Sequence, residues 1–551
     1  MKVDINVISS MRKIMKHEKI EKKEPFVASL AGNEAESFQI ILTAKEDVKE
    51  YTVHVSDFCL DSGEKLDGEV EVFHEKYMHI DEILPPEQER GKIPGWYPDA
   101  LLPYQKAVEY KENFIPKGEN QGVWFTVYAN PSAKAGVYSA KAKICVDGEN
   151  TEITLQVKVY AFSLPREVHY NSNYAVGFES LVAGEGNHFL GTYRKYVEKL
   201  IKYKLAPFRF LPDPRPIYIT QEEWTKELEY YLEQEDKYGR YISTFSIPVY
   251  ADGKYINVER FQMYIEALFL LCIKRNENLF ARGAGVHAGF IDEPHLNNTY
   301  DLTNSICKHF ETAKKETADM LREKYGIDDF KEAIYKEIEE IGNYVTSYFD
   351  ERLTEVKNWC PSSGNFVDPV NRKNYVAKGK SWWYVCGVGS PFALNIDHEP
   401  LEVRVEGWMR DAYSICGCYY WQTTHYFKWN WEQEVHYNVK TLIDCYAEPF
   451  RCAKWGGDGF LFYPMKPYNL DTPAVSIRLD LLRDSAEDYE YLHMLRSLYE
   501  NAGKDATAII QKAQEESFVD LTLKVDDLGY YQQRENIARY LEDAVRGVFH
   551  E

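Results

Sequence analysis

The chain has 551 residues, with 65 Lys and Arg against 87 Asp and Glu, a formal net charge of 65 − 87 = −22. This acidic excess excludes a nucleic-acid protein, because phosphate binding needs Lys and Arg to displace counterions, and a polybasic membrane-surface protein. No run approaches the roughly 18 consecutive apolar residues of a spanning helix. With 44% hydrophobic and 28% charged residues, the chain has the balance of ordinary globular domains, about three or four by length.

The first residues, MKVDINVISSMRKIMKHEKI, interrupt their apolar positions with charges and offer no signal-peptide core. Ten cysteines (Cys59, Cys145, Cys272, Cys307, Cys360, Cys386, Cys416, Cys418, Cys445 and Cys452) lie scattered, mostly inside apolar runs. Buried reduced thiols in a cytoplasmic protein are expected; an exported protein already trimmed of its signal peptide would start in the same way. Cys416 and Cys418 share one face of a strand, but no second Cys/His pair stands at ligand spacing, so no zinc site is expected.

To about residue 165 the pattern is β. Phe38–Leu42, Tyr51–Val55, Val70–Phe73, Val123–Tyr128 and Ile153–Val159 are short runs rich in β-branched and aromatic residues, separated by turn residues. Ala135-Gly136-Val137-Tyr138 reads as a turn entering a hairpin strand, and Ser163-Leu164-Pro165 ends the pattern. The prediction is a β-sandwich over residues 1–165.

Strands and helices then alternate. Strands are predicted at Asn173–Phe178, Phe208–Leu211, Tyr241–Ile247, Gly285–Ile291, Tyr344–Phe349, Val356–Cys360, Trp382–Cys386 and Cys418–Trp421. Amphipathic helices are predicted at Thr192–Tyr203, Glu222–Tyr238, Glu259–Lys274, Leu302–Tyr325 and Phe330–Ile341. Residues 166–475 are therefore expected to form a (β/α)₈ barrel, with Gly459–Tyr463 as a ninth strand candidate that disturbs the count. Residues 476–551 read as helical, broken at Gly503 and Gly529, and packed on the barrel. The fold class is multidomain α/β: sandwich, barrel, helical extension.

Gly285-Val286-His287-Ala288-Gly289-Phe290-Ile291-Asp292-Glu293-Pro294 is the most informative segment. A nearly apolar run ending in two acids and a proline suits a buried parallel strand whose C-terminal end carries chemistry. Neighbouring strand residues point to opposite faces, so both acids reach one pocket only if the backbone bulges or turns. The alternative makes Asp292 a helix cap and Glu293-Pro294 the entry to the next helix. Both readings stand at this stage.

Aromatic residues make up 15% of the chain, and flat rings accept the C–H face of a pyranose. Trp421 and Trp359 fall at expected strand ends; Trp382, Trp383, Tyr419, Tyr420 and Tyr426 are further candidates that equally fill a core. Asn358, Asn365, Gln422, His425 and His287 are polar candidates nearby. Ser476–Leu492 reads as a packed amphipathic helix with Arg478 or Arg483 paired to acids, and Asp350, Glu351, Asp368, Asp397 and Asp458 as surface acids. There is no Walker-type loop, no Gly-x-Gly-x-x-Gly after a strand and no His-Glu-x-x-His. No cofactor and no metal is expected.

Four segments taken together resemble glycoside hydrolase family 123, the bacterial β-N-acetylgalactosaminidases, and the wider group called domain of unknown function 4091. They are Gly95-Trp96-Tyr97-Pro98-Asp99-Ala100-Leu101-Leu102-Pro103; Asn120-Gln121-Gly122-Val123-Trp124 running on to Ala135–Tyr138; Ile291-Asp292-Glu293-Pro294; and Gly457-Asp458-Gly459-Phe460-Leu461-Phe462-Tyr463-Pro464 leading into the Ser476–Leu492 helix. The resemblance implies a sandwich followed by a catalytic barrel. It implies that Asp292 orients the substrate's 2-acetamido group, which attacks the anomeric carbon to form an oxazoline with net retention. It implies that Glu293 is the general acid and base, and that the partner is a glycan ending in a 2-acetamido sugar. Two departures stand near the sugar: Gly417–Tyr426 lacks the family's Ala-Tyr-Asn element, and Met465 replaces a glycine. The alternatives are a glycosidase of other specificity with a distant second acid such as Asp397, and a non-catalytic carbohydrate-binding protein.

Overall fold

The computed structural model describes residues 2–21, 24–186, 189–211, 219–249, 251–377, 380–387, 391–427, 442–448, 450–452 and 455–550. At 85–86, 179, 189, 252, 284–290 and 450–452 only the backbone is described.

The first part is the expected pair of sheets. Its strands are β1 Val3–Ser9, β2 Ala28–Gly32, β3 Glu34–Ala44, β4 Tyr51–Val55, β5 Gly68–Ile80, β6 Gly95–Pro103, β7 Asn120–Ala129, β8 Gly136–Val146 and β9 Glu149–Ser163. One sheet runs β1-β3-β7-β5-β6, the other β2-β9-β8-β4. Alternation along each strand builds the core between them: Phe38, Ile40 and Leu42 of β3 and Val123, Phe125 and Val127 of β7 meet Ala140, Ala142 and Ile144 of β8 and Leu155 and Val157 of β9.

The second part carries parallel strands: β10 Ser172–Tyr174, β11 Phe245–Ser246, then a small hairpin of β12 Ala251–Asp252 and β13 Tyr255–Ile256, then β14 Ala284–Asp292, β15 Gly342–Thr346, β16 Asn358–Trp359, β17 Trp382–Val385 and β18 Gly417–Tyr420. They form two sheets, β11-β14-β15-β16 and β10-β18-β17. Single parallel bridges, Trp359↔Ser381 and Ser362↔Tyr384, link the two. Helices Phe189–Lys202, Gln221–Glu235, Val258–Arg275, Tyr300–Tyr325 and Asp329–Glu339 lie within a few residues of expectation. The boundaries follow capping chemistry: Thr220 and Glu223 form a capping box, and the Asn257 and Asp328 side chains accept from backbone N–H groups three residues on.

The expected closed barrel is not found. Phe208–Leu211 makes no ladder among the described residues; this segment contributes one bridge, Tyr174↔Pro207, and none to β11. Pro207 has no N–H to donate, and Pro212, Pro214 and Pro216 follow it in the sequence. Among the described residues the strands therefore make a parallel arc.

The ninth strand candidate belongs elsewhere. After the short hairpin of β19 Phe450–Cys452 and β20 Trp455–Gly456, β21 Phe462–Tyr463 pairs with β22 Ala474–Ser476, and β22 pairs with β6. The chain thus returns to extend the first sheet of the sandwich. Ser476 caps the following helix, Ile477–Asn501, by accepting from Leu479 N. The C-terminal stretch is not wholly helical, because Phe518–Val519 and Thr522–Leu523 form a hairpin whose turn residues Asp520 and Leu521 have φ of 48° and 62°. Gly503, with φ 69°, follows the end of the Ile477–Asn501 helix, but Gly529 lies in the first turn of the Asp527–Val545 helix, where its N–H donates to the capping Asp526.

Candidate active site

The register of β14 against β15 runs Gly285↔Gly342, Val286↔Asn343, His287↔Tyr344 and resumes at Asp292↔Thr346. Five residues of β14 are thus matched by two of β15, a bulge that re-aims the strand end. Glu293 then adopts the left-handed region, φ 43° and ψ 58°, before Pro294 opens the short Pro294–Asn297 helix. A non-glycine residue held there stores backbone strain, a feature concentrated at functional sites.

Hydrogen bonds fix both acids. Thr346 Oγ1 donates to Asp292 Oδ1 at 2.7 Å. Glu293 N donates to the Thr346 carbonyl at 3.0 Å, and Tyr384 Oη donates to Glu293 Oε1 at 2.5 Å. Asn297 Nδ2 donates to the Asp292 carbonyl at 3.3 Å. The helix-cap reading divides: Glu293 holds the N-cap position and Pro294 opens the next helix as it expected, but Asp292 is the last residue of β14 rather than the cap, and both carboxylates bond across the strand ends.

Strand alternation identifies what surrounds them. On β17, Trp383 and Val385 pack into the helix-side core, whereas Trp382 turns inward against Tyr344 at 5.0 Å and Tyr384, on the same face, reaches Glu293. On β18, Cys418 and Tyr420 point to the core and Tyr419 points inward. Burial first, then the Glu293 carboxylate, pushes the Tyr384 phenol far above its usual range, so it remains a donor. Burial followed by the Asp292 charge does the same for Tyr419, with Arg209 opposing. The Cys360 thiol is pushed up by burial, with Cys418 and Asp292 adding to it; a neutral buried thiol is a poor nucleophile. No group of three or more potential metal-ligating side chains occurs among the described residues.

The sequence-predicted contacts divide sharply. Trp421 is half-buried just past β18, its ring 5.4 Å from His425. Trp359, 1% exposed, lies on the helix side against Phe349 and Tyr375 rather than on an open face. Trp383 is buried against Phe366 and Phe392, its Nε1 donating to Glu406. Tyr420 is buried too, its hydroxyl donating to Asp458 and accepting from Gly459 N. These three are core residues because each stands one position out of phase with the inward face. Asn358 accepts from Asn343 N and serves the strand pair. The His287 side chain lies outside the described residues, although its backbone is in register with Tyr344. Gln422 accepts from Thr423 N and packs beside Gly177. Asp397 is buried beside Glu87, Lys13 and His398, and is not brought to the pair. Asp350 pairs with Arg352, and Asp368 accepts from Val370 N.

Sequence reasoning missed Thr346, Tyr384 and Asn173, and weighed Tyr419 without choosing it. Asn173 is buried in register with Tyr419, and neither of its amide atoms has a hydrogen-bond partner among the described residues. A period-two count along strands already located would have singled out Tyr384 and Tyr419.

Residues 291–495 match the family model described as glycoside hydrolase 123, catalytic domain. Over 99% of this chain and 98% of the other, the fold is similar to that of a family 123 glycoside hydrolase from Clostridium perfringens, studied for glycolipid glycan hydrolysis, at 11% identity and TM-score 0.60. A β-glucuronidase from Parabacteroides merdae aligns over 76% of this chain and 46% of its own at 10% identity, with a TM-score of 0.24 that carries no argument. No curated protein sequence matches. The matched catalytic domain supports a glycoside hydrolase. The match to glycoside hydrolase family 123 lies in residues 291–495, and the likeness over the remainder is one of fold.

Proposed function

We propose that the protein is a retaining, exo-acting β-N-acetylhexosaminidase preferring N-acetylgalactosamine, in which the substrate's 2-acetamido group is the nucleophile. The observation that carries this reading is the placement of Asp292 and Glu293 as adjacent residues at one bulged strand end. Glycosidases that supply both groups from the protein need carboxylates flanking the bond, about 5–5.5 Å apart for retention and about 6.5–9.5 Å for inversion. Two acids from one strand end approach from one side, so the opposite face is left to the acetamide. Asp292, held by Thr346, orients and stabilises the acetamide N–H as its carbonyl oxygen attacks. Glu293, held by Tyr384, protonates the departing oxygen and then takes a proton from the water that opens the oxazoline.

Three further readings go with it. The parallel arc is a (β/α)₈ barrel with incomplete pairing at its second strand, supported by the succession β10-β18-β17 and β16-β15-β14-β11 through the two bridges. The partner is a glycan ending in a 2-acetamido sugar, with Trp421 the candidate ring beneath it. A cytoplasmic setting goes with the free, mostly buried cysteines among the described residues.

The test is a panel of nitrophenyl β-glycosides with and without a 2-acetamido group, run with and without a thiazoline that imitates the oxazoline. Hydrolysis confined to acetamido sugars and strong thiazoline inhibition are expected. Plain β-galactosides cleaved equally fast, with indifference to the thiazoline, would return the site to a two-carboxylate mechanism.

A further inference from the structure

Lys13, on the segment that follows β1, reaches from the sandwich into the catalytic part. Its side chain is 4% exposed, and its Nζ donates to the Ile396 carbonyl at 2.6 Å and stands 4.0 Å from Asp99 Oδ1. Gln39 on β3 fixes the segment by donating to the carbonyls of Ser9 and Arg12. Beside Lys13, Arg478 donates to the carbonyls of Leu394 and Gly457, and Ile396 N donates to the Gly456 carbonyl at 2.9 Å. These groups crowd Gly457, φ 83°, where a Cβ would lie 2.7 Å from Ile396 Cγ1 and 2.9 Å from Arg478 Cζ. Residues 456–461 in turn carry the segment after β18. His425 N donates to the Gly459 carbonyl at 2.9 Å, Leu461 N donates to the Thr423 carbonyl at 2.8 Å, and Thr424 bridges Phe460. Residues 391–398 and 421–427 leave the C-terminal ends of β17 and β18, the end at which Asp292 closes β14.

We propose that Lys13 is a positioning residue: from the sandwich, through Ile396 and Gly456, it sets the segment that carries Trp421. The inference rests on the reading of Trp421 as the ring beneath the sugar. A buried ammonium is costly unless its donors are used. Asp99 already accepts from Nε and Nη2 of Arg478 and from Tyr463, so the close acceptor for Lys13 is the loop carbonyl of Ile396. Packing alone would be served as well by an unbranched apolar side chain of similar length. The acid pair is held instead by Thr346 on β15 and Tyr384 on β17. Loss of the Lys13 bond therefore reaches substrate binding and leaves the proton transfers in place.

The experiment uses Lys13→Met in the full chain, which keeps the apolar stem and removes the ammonium. On nitrophenyl β-N-acetylgalactosaminide it is expected to raise KM about tenfold and to leave kcat within about twofold. Hydrogen exchange read by mass spectrometry should quicken in residues 421–427 and 456–461 while β15 keeps its protection. Arg12→Ala, one residue away with its side chain on Glu18, should match the wild type in both readouts. Trp421→Ala is run in parallel and should raise KM at least as far. A fall in kcat with KM unchanged, or unchanged exchange at 421–427, overturns the positioning role. Exchange quickened equally in β15 also overturns it, because Lys13 is then a residue of general stability. If Trp421→Ala raises KM and Lys13→Met does not, the proposal falls alone; if Trp421→Ala leaves KM unchanged, the reading of that ring falls and takes the proposal with it.

Discussion

At Glu293 the backbone leaves the strand through the left-handed region, and Tyr384 reaches from β17 to hold the carboxylate that results. If this carboxyl is the general acid, Glu293→Gln should lose about 10²–10⁴-fold on substrates with poor leaving groups and far less on an activated aryl glycoside, as kcat/KM on the two will report. Asp292→Asn should damage both classes alike, by about a hundredfold, because the acetamide must be oriented whatever departs. Tyr384→Phe removes the hydrogen bond without removing the ring, and is expected to cost about tenfold in kcat/KM with the fold unchanged by circular dichroism. The same scale explains which aromatic residues were misplaced from sequence. Strand periodicity is two, so choosing Trp383 over Tyr384, Tyr420 over Tyr419 or Trp359 over its neighbours moves a side chain from the inward face to the core.

Ser476–Leu492 was expected to be an amphipathic helix, and instead the first three turns of the helix Ile477–Asn501 are buried on every side. Its charges find partners on β3, β6, β7 and the helices Pro400–Ala412 and Asp527–Val545. Arg478 makes a bidentate pair with Asp99 at 2.8 and 2.7 Å and donates to the carbonyls of Leu394 and Gly457, while Tyr463 donates to the same Asp99. Asp480 accepts from Trp124 Nε1, Ser37 and Arg483. Asp488 takes Arg404 and Arg534, and Arg404 also holds Glu36. The Gly95–Pro103 segment and the Gly457–Pro464 segment therefore join the sandwich to the catalytic part rather than touching the acid pair. Breaking a buried pair leaves an uncompensated charge, so Arg478→Met should destabilise by about 3–5 kcal/mol, measured as a fall in urea midpoint. Gly407, on the Pro400–Ala412 helix, packs so closely that a Cβ there would lie 2.6 Å from the Ser485 carbonyl. Gly407→Ala should cost about 1–3 kcal/mol through overpacking, with activity at low temperature retained.

Across the whole molecule, buried ionisable groups make stability depend on pH. Burial pushes Glu75 up to about 8, and neither of its oxygens has a partner among the described residues. Above its ordinary value it ionises in the unfolded chain but stays protonated in the folded one, so stability is lost as pH rises towards 8. His398, although burial lowers it, is raised to about 9 by Glu402 and Glu87. Its contribution is complete below the ordinary 6.5 and is lost as pH rises through 9. His74, lowered to about 3 by burial, acts oppositely but only below 6.5; Lys13, lowered to about 8 by burial, acts oppositely only above 8. Between pH 6.5 and 8 the urea midpoint should therefore fall, each group contributing up to about 1.4 kcal/mol per pH unit. Glu75→Gln should flatten that slope.

What the sequence determined by itself was local: period-two runs and turns placed the sandwich strands, 3.6-residue periodicity and caps placed the helices, and an apolar run stopped by Asp292-Glu293-Pro294 marked the acid pair. Each of these is set by neighbours a few residues away. Only the tertiary structure decided that the 462–476 hairpin extends the first sheet, that the charged helix is an interior element, and that Tyr384 and Thr346 hold the two acids. Those outcomes depend on pairings between residues tens to hundreds of positions apart. A charged residue facing water and one facing a buried partner obey the same helical period, and so read alike until the partner is in place.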